Sequence, residues 1–111
     1  MGLKPLKPSL REKKRYLAFE VIGSRLPAES VSRAVKSAVL QFVGEFGLAK
    51  MSLIVLNDCY KNNKGVAKCS HTALDTLKAS LAFIKEIDGH AVTVRSLTAS
   101  GAVNVAKASI S

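Results

Sequence analysis

The sequence predicts an α+β sandwich in which an antiparallel sheet carries its helices mainly on one face. The first observation behind this prediction is a change in hydrophobic spacing along the chain, from a period of two to a period of three to four and back. These changes predict the order strand, helix, strand, strand, helix, strand, followed by a short terminal helix. The second observation is that Gly, Pro or Asn residues stand near most of the points where the period changes.

The length and composition restrict the class of protein. A chain of 111 residues has room for one domain with one modest core. Its hydrophobic content is 48%, but no apolar run approaches the roughly 20 residues that a membrane-spanning helix needs. The basic start is not followed by the apolar segment of a signal peptide. We therefore expect a soluble, cytoplasmic protein without a membrane partner.

The first half of the chain predicts a strand and a long helix. The strand begins at Arg15 and alternates, with one face made of Leu17, Phe19 and Val21 and the other of Tyr16, Ala18, Glu20 and Ile22. Pro27 lies near the start of the helix, where a missing amide donor costs little, and Gly47 is expected to close it. The predicted buried stripe of the helix is Val31, Ala34, Val35, Ala38, Phe42 and Phe46.

The second strand, predicted from Met51 to Asn57, is apolar on both faces. Its unbroken row, which is also our candidate protein interface, is Leu53, Ile54, Val55 and Leu56. Such a strand needs cover on its second face, either from another element such as the C-terminal segment or from a protein partner. The basic, turn-rich loop that follows, residues 57–65, leads into a short third strand at 65–70, and together they predict a hairpin.

The second helix is predicted to start at Leu74 and to end near Gly89. Its apolar stripe is Leu74, Leu77, Leu81 and Ile84. Thr72 and Asp75 are placed for a capping box, and Gly89 is placed for a left-handed C-cap. The last strand follows Gly89, and the terminal helix is expected from about Ser100.

Two strand-helix-strand units joined by a hairpin suggest the ferredoxin-like, or RNA-recognition-motif-like, sandwich. In that topology the first and third strands are central. The sheet face away from the helices then carries Tyr16, Glu20, Thr93 and Arg95.

The charge favours a polyanionic partner, either nucleic acid or an anionic membrane, over a domain whose charge only keeps it dispersed. The formal net charge is +9, with 17 Lys and Arg against 8 Asp and Glu. We divide the chain into a basic N-terminal arm, residues 1–14, and one sandwich domain, residues 15–111. The candidate RNA-binding residues are Lys4, Lys7, Arg11, Lys13, Lys14, Arg15, Lys61, Lys64, Lys68 and Arg95.

The chemistry-bearing residues predict no catalytic or metal site. The acids are scattered over different elements, whereas a two-metal site needs several converging carboxylates. Cys59 and Cys69 lack the paired short spacing of structural zinc sites and are expected to stay reduced. The third strand, GVAKCS, lacks an aromatic residue, so Tyr16 is the one candidate for base stacking on the central strands. Recognition of RNA backbone or shape is therefore preferred over stacking of several bases.

Six short segments, in order, give the chain a family resemblance. They are RYLAFEV at 15–21, GEFGLAKMSL at 44–53, GVAKCSH at 65–71, IKEIDG at 84–89, VRSL at 94–97 and SG at 100–101. In this combination, over residues 14–107, the chain resembles the small protein subunit of archaeal and eukaryotic ribonuclease P. The terminal SGAVNVAK departs from the family's more common Ser-Gly-Thr-Ile followed by basic residues.

The resemblance implies a noncatalytic subunit in which the RNA performs the chemistry, removes the 5′ leader from precursor tRNA and uses the magnesium. The protein itself would bind no cofactor. Its implied partners are ribonuclease P RNA, a larger barrel-shaped protein subunit, precursor tRNA through the complex, and a second copy of itself. The predicted elements follow one another with short connections, and this favours an archaeal source.

Two other functions stay open. A general structured-RNA or ribosome-associated binding protein would share the fold and the basic arm. A ferredoxin-like, small-molecule-sensing dimer would share the fold, although nine excess positive charges argue against it.

Overall fold

The computed structural model describes residues 13–110. In this range the elements are β1 (Lys14–Gly23), α1 (Ala28–Met51), β2 (Ile54–Val55), β3 (Lys64–Ser70), α2 (Leu74–Ala82), β4 (Glu86–Ile87), β5 (His90–Ser100) and α3 (Val103–Ala108). These strands form one antiparallel sheet in the order β2-β3-β1-β5-β4. The predicted α+β, ferredoxin-like class is confirmed, and β1 and β3 lie inside the sheet as expected.

β1 is buried from both sides, because its alternating side chains enter two separate clusters. Leu17, Phe19 and Val21 join the main core with α1 and α2. Ala18 points the other way and packs in a second cluster with Val66 and with two residues of the C-terminal segment, Ala106 and Ile110. The C-terminal segment therefore covers the part of the second sheet face around Ala18 and Val66, and it was one of the two covers expected from the sequence.

α1 differs from its prediction in its second half. Val31, Val35 and Val39 are fully buried, but Gly44 has non-helical angles, φ 75° and ψ 178°, which break the helix. The break changes the phase of the stripe, so that the next residue of α1 to be buried is Met51. The prediction that Phe42 and Phe46 are buried is wrong, since they are 48% and 88% exposed.

The end of α1 and the start of β2 also lie elsewhere. The helix does not close at Gly47 but at Ser52, a left-handed cap with φ 51° and ψ 42°. Because α1 extends to Met51, β2 is reduced to two residues, Ile54 and Val55. The predicted hairpin is confirmed: β2 pairs with β3, and Lys61 pairs with Lys64 around the turn residues Asn62 and Asn63, both of positive φ.

α2 is shorter than predicted because the segment after it forms a hairpin. The helix ends at Ala82, and β4 then pairs with β5. Asp88 and Gly89 have φ values of 50° and 81°, as in a two-residue hairpin turn, so Gly89 is not a helix cap. The expected capping box is wrong as well, because Ala73 is the N-cap residue and makes no side-chain cap hydrogen bond.

Candidate nucleic-acid interface

Three basic side chains lie on the sheet face opposite α1 and α2. The strand register places Lys64 beside Glu20 and Glu20 beside Arg95, and Lys68 shares the face of Lys64 on β3. We call this set, Lys64, Lys68 and Arg95, the basic sheet face. Glu20 neutralises part of it, because Arg95 Nη2 donates to Glu20 Oε1 at 2.8 Å.

A second row of the same face contains an aromatic ring. Tyr16 lies between Lys68 of β3 and Ser100 of β5, and Ile54 of β2 follows beyond Lys68. The Lys68 Nζ is 6.0 Å from the centroid of the Tyr16 ring. Among the described residues, none of the direct strand partners in this row carries a carboxylate.

Arg15 lies at the same end of the sheet as this row. Its Nη1 donates to the carbonyl oxygen of Lys14 at 3.0 Å. A Cβ added to Gly101 would lie 3.1 Å from the same Nη1, so the guanidinium rests against the turn between β5 and α3. Ser100 Oγ shapes that turn by accepting a hydrogen bond from the Ala102 amide at 3.1 Å.

The other predicted RNA-binding residues surround this face to different degrees. Lys61 lines a cavity of about 200 Å³ together with Asp58, Cys59, Ile110 and a further lysine of α3, Lys107. Lys14 is the first residue of β1 and pairs with Ser70 of β3. Lys13 is exposed, and its carbonyl oxygen accepts a hydrogen bond from the His71 amide at 2.8 Å. Lys4, Lys7 and Arg11 lie outside the described residues, so their RNA contacts stay a prediction.

A polar clamp fixes the hairpin that carries Lys61 and Lys64. Asn63 joins it to the β1–α1 loop, because its Nδ2 donates to the Ser24 carbonyl at 2.7 Å and its Oδ1 accepts the Leu26 amide at 3.0 Å. The Tyr60 hydroxyl donates to the Leu26 carbonyl at 2.8 Å. Burial raises the pKa of Tyr60, an effect that nearby Arg25 partly opposes. The clamp therefore holds the hairpin against the start of α1.

The predicted protein interface is largely used inside the domain. Val55 is buried in the main core, Leu53 packs against that core and Leu56 packs against the second cluster. Ile54 is the exposed member, at 50%. As a partner-binding row this set stays a prediction.

The sequence reasoning missed an apolar surface on the helix side, because it assigned Phe42 to the core. Phe42 of α1 and Phe83, just after α2, have ring centroids 5.4 Å apart and are 48% and 64% exposed. They line a cavity of about 480 Å³ with Ala34, Ser37, Ala38, Gln41, Ile84, Lys85 and Glu86. We call this surface the phenylalanine groove. A signal for it was present in the sequence, since Phe83 falls outside the spacing of the α2 stripe.

The two cysteines lie in different hydrophobic clusters, Cys69 in the main core and Cys59 at the second cluster. Cys69 is buried in the main core, and burial raises its pKa, an effect that Lys14 partly opposes, so it stays a neutral thiol. Cys59 is half-buried near α3. Within residues 13–110, no three His, Cys, Asp or Glu side chains are grouped so that they could hold a metal ion.

The fold and the surface define a small basic α+β sandwich with a cationic sheet face on one side and an apolar groove on the other. No helix within residues 13–110 is long and apolar enough to cross a membrane. The chain belongs to the Rpp14/Pop5 family, which its residues 15–111 match.

Curated relatives and one solved structure agree with this membership. The chain is 38% identical to ribonuclease P protein component 2 of Methanosarcina mazei, over 91% of this chain and 86% of the relative. It is 33% identical to the protein of the same name from Thermococcus kodakarensis, over 90% and 84%. The fold is similar to that of a chain in the cryo-EM structure of yeast ribonuclease MRP, with a TM-score of 0.67, 15% identity, and coverage of 84% of this chain and 77% of that one.

Proposed function

We propose that this chain is a noncatalytic protein subunit of ribonuclease P, which binds and activates the catalytic RNA for 5′ leader removal from precursor tRNA. The RNA performs the cleavage and uses the magnesium. The protein lowers the magnesium requirement by placing cations between RNA phosphates that otherwise repel one another.

The observation that carries this proposal is the basic sheet face in a member of the Rpp14/Pop5 family. Lys64 and Lys68 are half-buried residues of β3, an interior strand, so their side chains extend from a fixed backbone. Fixed cations lose less conformational entropy on binding phosphate than cations on a mobile segment do. The name of the relatives, ribonuclease P protein component 2, supports ribonuclease P RNA as the particular RNA that is bound.

The phenylalanine groove is the surface on which we place the barrel-shaped protein subunit. Its exposed rings lie on the helix side of the sandwich, whereas the basic face lies on the other side of the sheet. An RNA and a protein partner can therefore be bound together. A second copy of this chain is the competing occupant of the groove, and sedimentation of the isolated chain distinguishes the two.

The experiment that tests the proposal is magnesium-dependent cleavage of a precursor tRNA by an archaeal ribonuclease P RNA. The barrel-shaped partner is present throughout, and this chain is added or omitted. We expect cleavage at lower magnesium only when both proteins are present. A folded chain that binds the partner but leaves the magnesium requirement unchanged would contradict the proposal.

A general structured-RNA-binding protein is the second candidate, since the basic face contains no feature limited to one RNA. Equal affinity for ribonuclease P RNA and for an unrelated structured RNA of the same length would favour it. A magnesium-dependent activation specific to ribonuclease P RNA would exclude it.

A further inference from the structure

We propose that the cavity between the β1–α1 loop and the β2–β3 hairpin binds a backbone phosphate of the RNA, with Arg25 and Lys61 as its two cations. This cavity, which we call the loop cavity, measures about 460 Å³. Its lining includes Arg25 and Leu26 of the loop and Tyr60, Lys61, Asn62 and Asn63 of the hairpin. The inference rests on the proposed function, because it adds a second place at which the same RNA is held. Arg25 is not among the RNA-binding residues predicted from the sequence.

The charged groups that line the loop cavity are both positive. The acids nearest to it in sequence, Glu29 and Asp58, are not part of the lining, although Asp58 borders the neighbouring cavity, which shares Lys61. Arg25 and Lys61 are exposed. Within residues 13–110, neither of these two side chains forms a hydrogen bond or an ion pair. Two cations without a carboxylate partner at one opening attract a phosphate, whose oxygens accept hydrogen bonds from both.

The walls of the loop cavity are held together by hydrogen bonds inside the protein. The Asn63 side chain joins the hairpin to the loop through the Ser24 carbonyl and the Leu26 amide, at 2.7 and 3.0 Å. The Tyr60 hydroxyl donates to the Leu26 carbonyl at 2.8 Å. Burial raises the pKa of Tyr60 and the charge of Arg25 acts against this effect, which is consistent with a guanidinium close to the phenol. A site formed in advance loses less conformational entropy on binding than a mobile one does.

The loop cavity continues the basic sheet face around the hairpin. Lys61 pairs with Lys64 in an antiparallel bridge, and the two residues exchange backbone hydrogen bonds of 2.8 and 2.9 Å. Because Lys64 belongs to the basic sheet face, an RNA strand that crosses Lys64 can continue to Lys61 and Arg25. Asn62, an exposed turn residue, adds an amide that can donate to a phosphate or a ribose hydroxyl. Contacts of this kind position the RNA without reading its sequence.

Binding of ribonuclease P RNA at several salt concentrations tests the loop cavity. Arg25→Gln and Lys61→Gln should each reduce the slope of log affinity against log salt concentration by about one, because each removes one phosphate contact. The matched controls are Arg33→Gln on α1 and Lys78→Gln on α2, which remove the same charge from exposed positions on the helix side. These controls should leave the slope unchanged. Circular dichroism of each variant verifies its fold.

A second measurement distinguishes an RNA phosphate from a free anion. An isotope-labelled chain is titrated with inorganic phosphate and, separately, with a short single-stranded RNA, and the backbone amides are followed by nuclear magnetic resonance. Both titrations should shift the amides of residues 25–26 and 61–63, the RNA at the lower concentration, and the double variant Arg25→Gln/Lys61→Gln should lose both responses. Shifts with inorganic phosphate that the RNA does not reproduce would identify a free-anion site and overturn the assignment to RNA.

The outcomes separate this inference from the proposed function. Salt slopes of Arg25→Gln and Lys61→Gln equal to those of their controls overturn the phosphate site, even if the wild-type chain activates ribonuclease P RNA. Weaker binding of the barrel-shaped protein by Arg25→Gln, with an unchanged RNA slope, assigns the cavity to a protein contact and also overturns it. A folded wild-type chain that binds its protein partner but leaves the magnesium requirement unchanged contradicts the proposed function itself.

Discussion

Arg95 and Glu20 face each other across neighbouring strands, with Arg95 Nη2 2.8 Å from Glu20 Oε1. The pair places one of the predicted RNA-binding cations under the influence of a carboxylate. We expect Glu20→Gln to release Arg95 for a phosphate and to raise RNA affinity, with a salt dependence steeper by about one counterion. Binding measured as a function of salt concentration checks this.

The control for this charge change is Glu29→Gln, because Glu29 is exposed in the first turn of α1, on the other side of the sheet. An equal gain from both variants would mean that net charge alone matters. Since Glu20 already neutralises Arg95 in part, Arg95→Ala should weaken RNA binding less than Lys68→Ala does.

Phe83 provides a test of the phenylalanine groove. Phe83→Ser should weaken binding of the barrel-shaped protein at least tenfold, because an exposed aromatic residue in a cleft is a typical hot spot worth about 2 kcal/mol. RNA binding should not change, and the free energy of unfolding should stay within about 1 kcal/mol of the wild-type value, since the ring is 64% exposed. Calorimetric titration measures the partner affinity.

Ile22→Ser is the matched control for the groove, because Ile22 is an exposed apolar side chain on the opposite sheet face. Partner binding that survives Phe83→Ser but fails in Ile22→Ser would place the protein contact on the sheet instead.

Tyr60 should make the stability of the fold sensitive to alkaline pH. Burial raises its pKa above the usual value of about 10, so the folded state holds the phenolic proton more tightly than the unfolded chain does. The protonated Tyr60 hydroxyl therefore contributes its full share to the free energy of unfolding below the pKa of the unfolded chain, and this share is lost as the pH rises through the pKa of the folded state. Tyr60→Phe should lower stability by about 1 kcal/mol at neutral pH and remove this part of the alkaline dependence.

Urea unfolding of both proteins across the alkaline range measures the effect, with Tyr16→Phe as the control for a tyrosine outside the clamp. An unchanged alkaline slope in Tyr60→Phe would show that the Tyr60 hydroxyl is not the titrating group.

Gly65 lies where a side chain has no room. A Cβ at this position would be 2.9 Å from Phe19 Cζ and 3.1 Å from Tyr60 Cδ2, so Gly65→Ala should lower stability by about 1–3 kcal/mol through overpacking. Gly101→Ala is the control, because its Cβ meets the movable end of Arg15 and should cost under about 1 kcal/mol. Thermal unfolding of the two variants compares them, and equal losses would rule out the Phe19 contact as the cause.

The sequence predicted the fold class and the alternation of β1 because those features depend on local hydrophobic spacing. The sequence-based prediction was wrong where a short segment is compatible with two local structures, a helix or a hairpin turn. The stretch before Gly89 continues a helical stripe through Ile84 but also ends in Asp-Gly, and the tertiary hairpin between β4 and β5 decided between them. Ile84 is buried in either case, so burial alone could not separate the two.

The candidate site was predictable in composition but not in arrangement. Charge counting found Lys64, Lys68 and Arg95, yet their common face depends on pairings between strands far apart in sequence. The Arg95–Glu20 pair and the exposure of Phe42 depend on the same long-range geometry, and in Phe42 also on the break at Gly44. No local pattern encodes these relationships.

The central place of β1 has a consequence for biosynthesis. This strand is the earliest of the described elements to be synthesised, but it pairs with β3 through Lys14–Ser70 and with β5 through Tyr16–Ser100. The edge of β1 that pairs with β3 stays open until the chain has grown past Ser70, and the edge that pairs with β5 stays open until it has grown past Ser100, so the sheet closes only after synthesis of nearly all the described residues. A nascent or truncated chain without β5 would expose an apolar strand edge, which is a template for pairing with other chains.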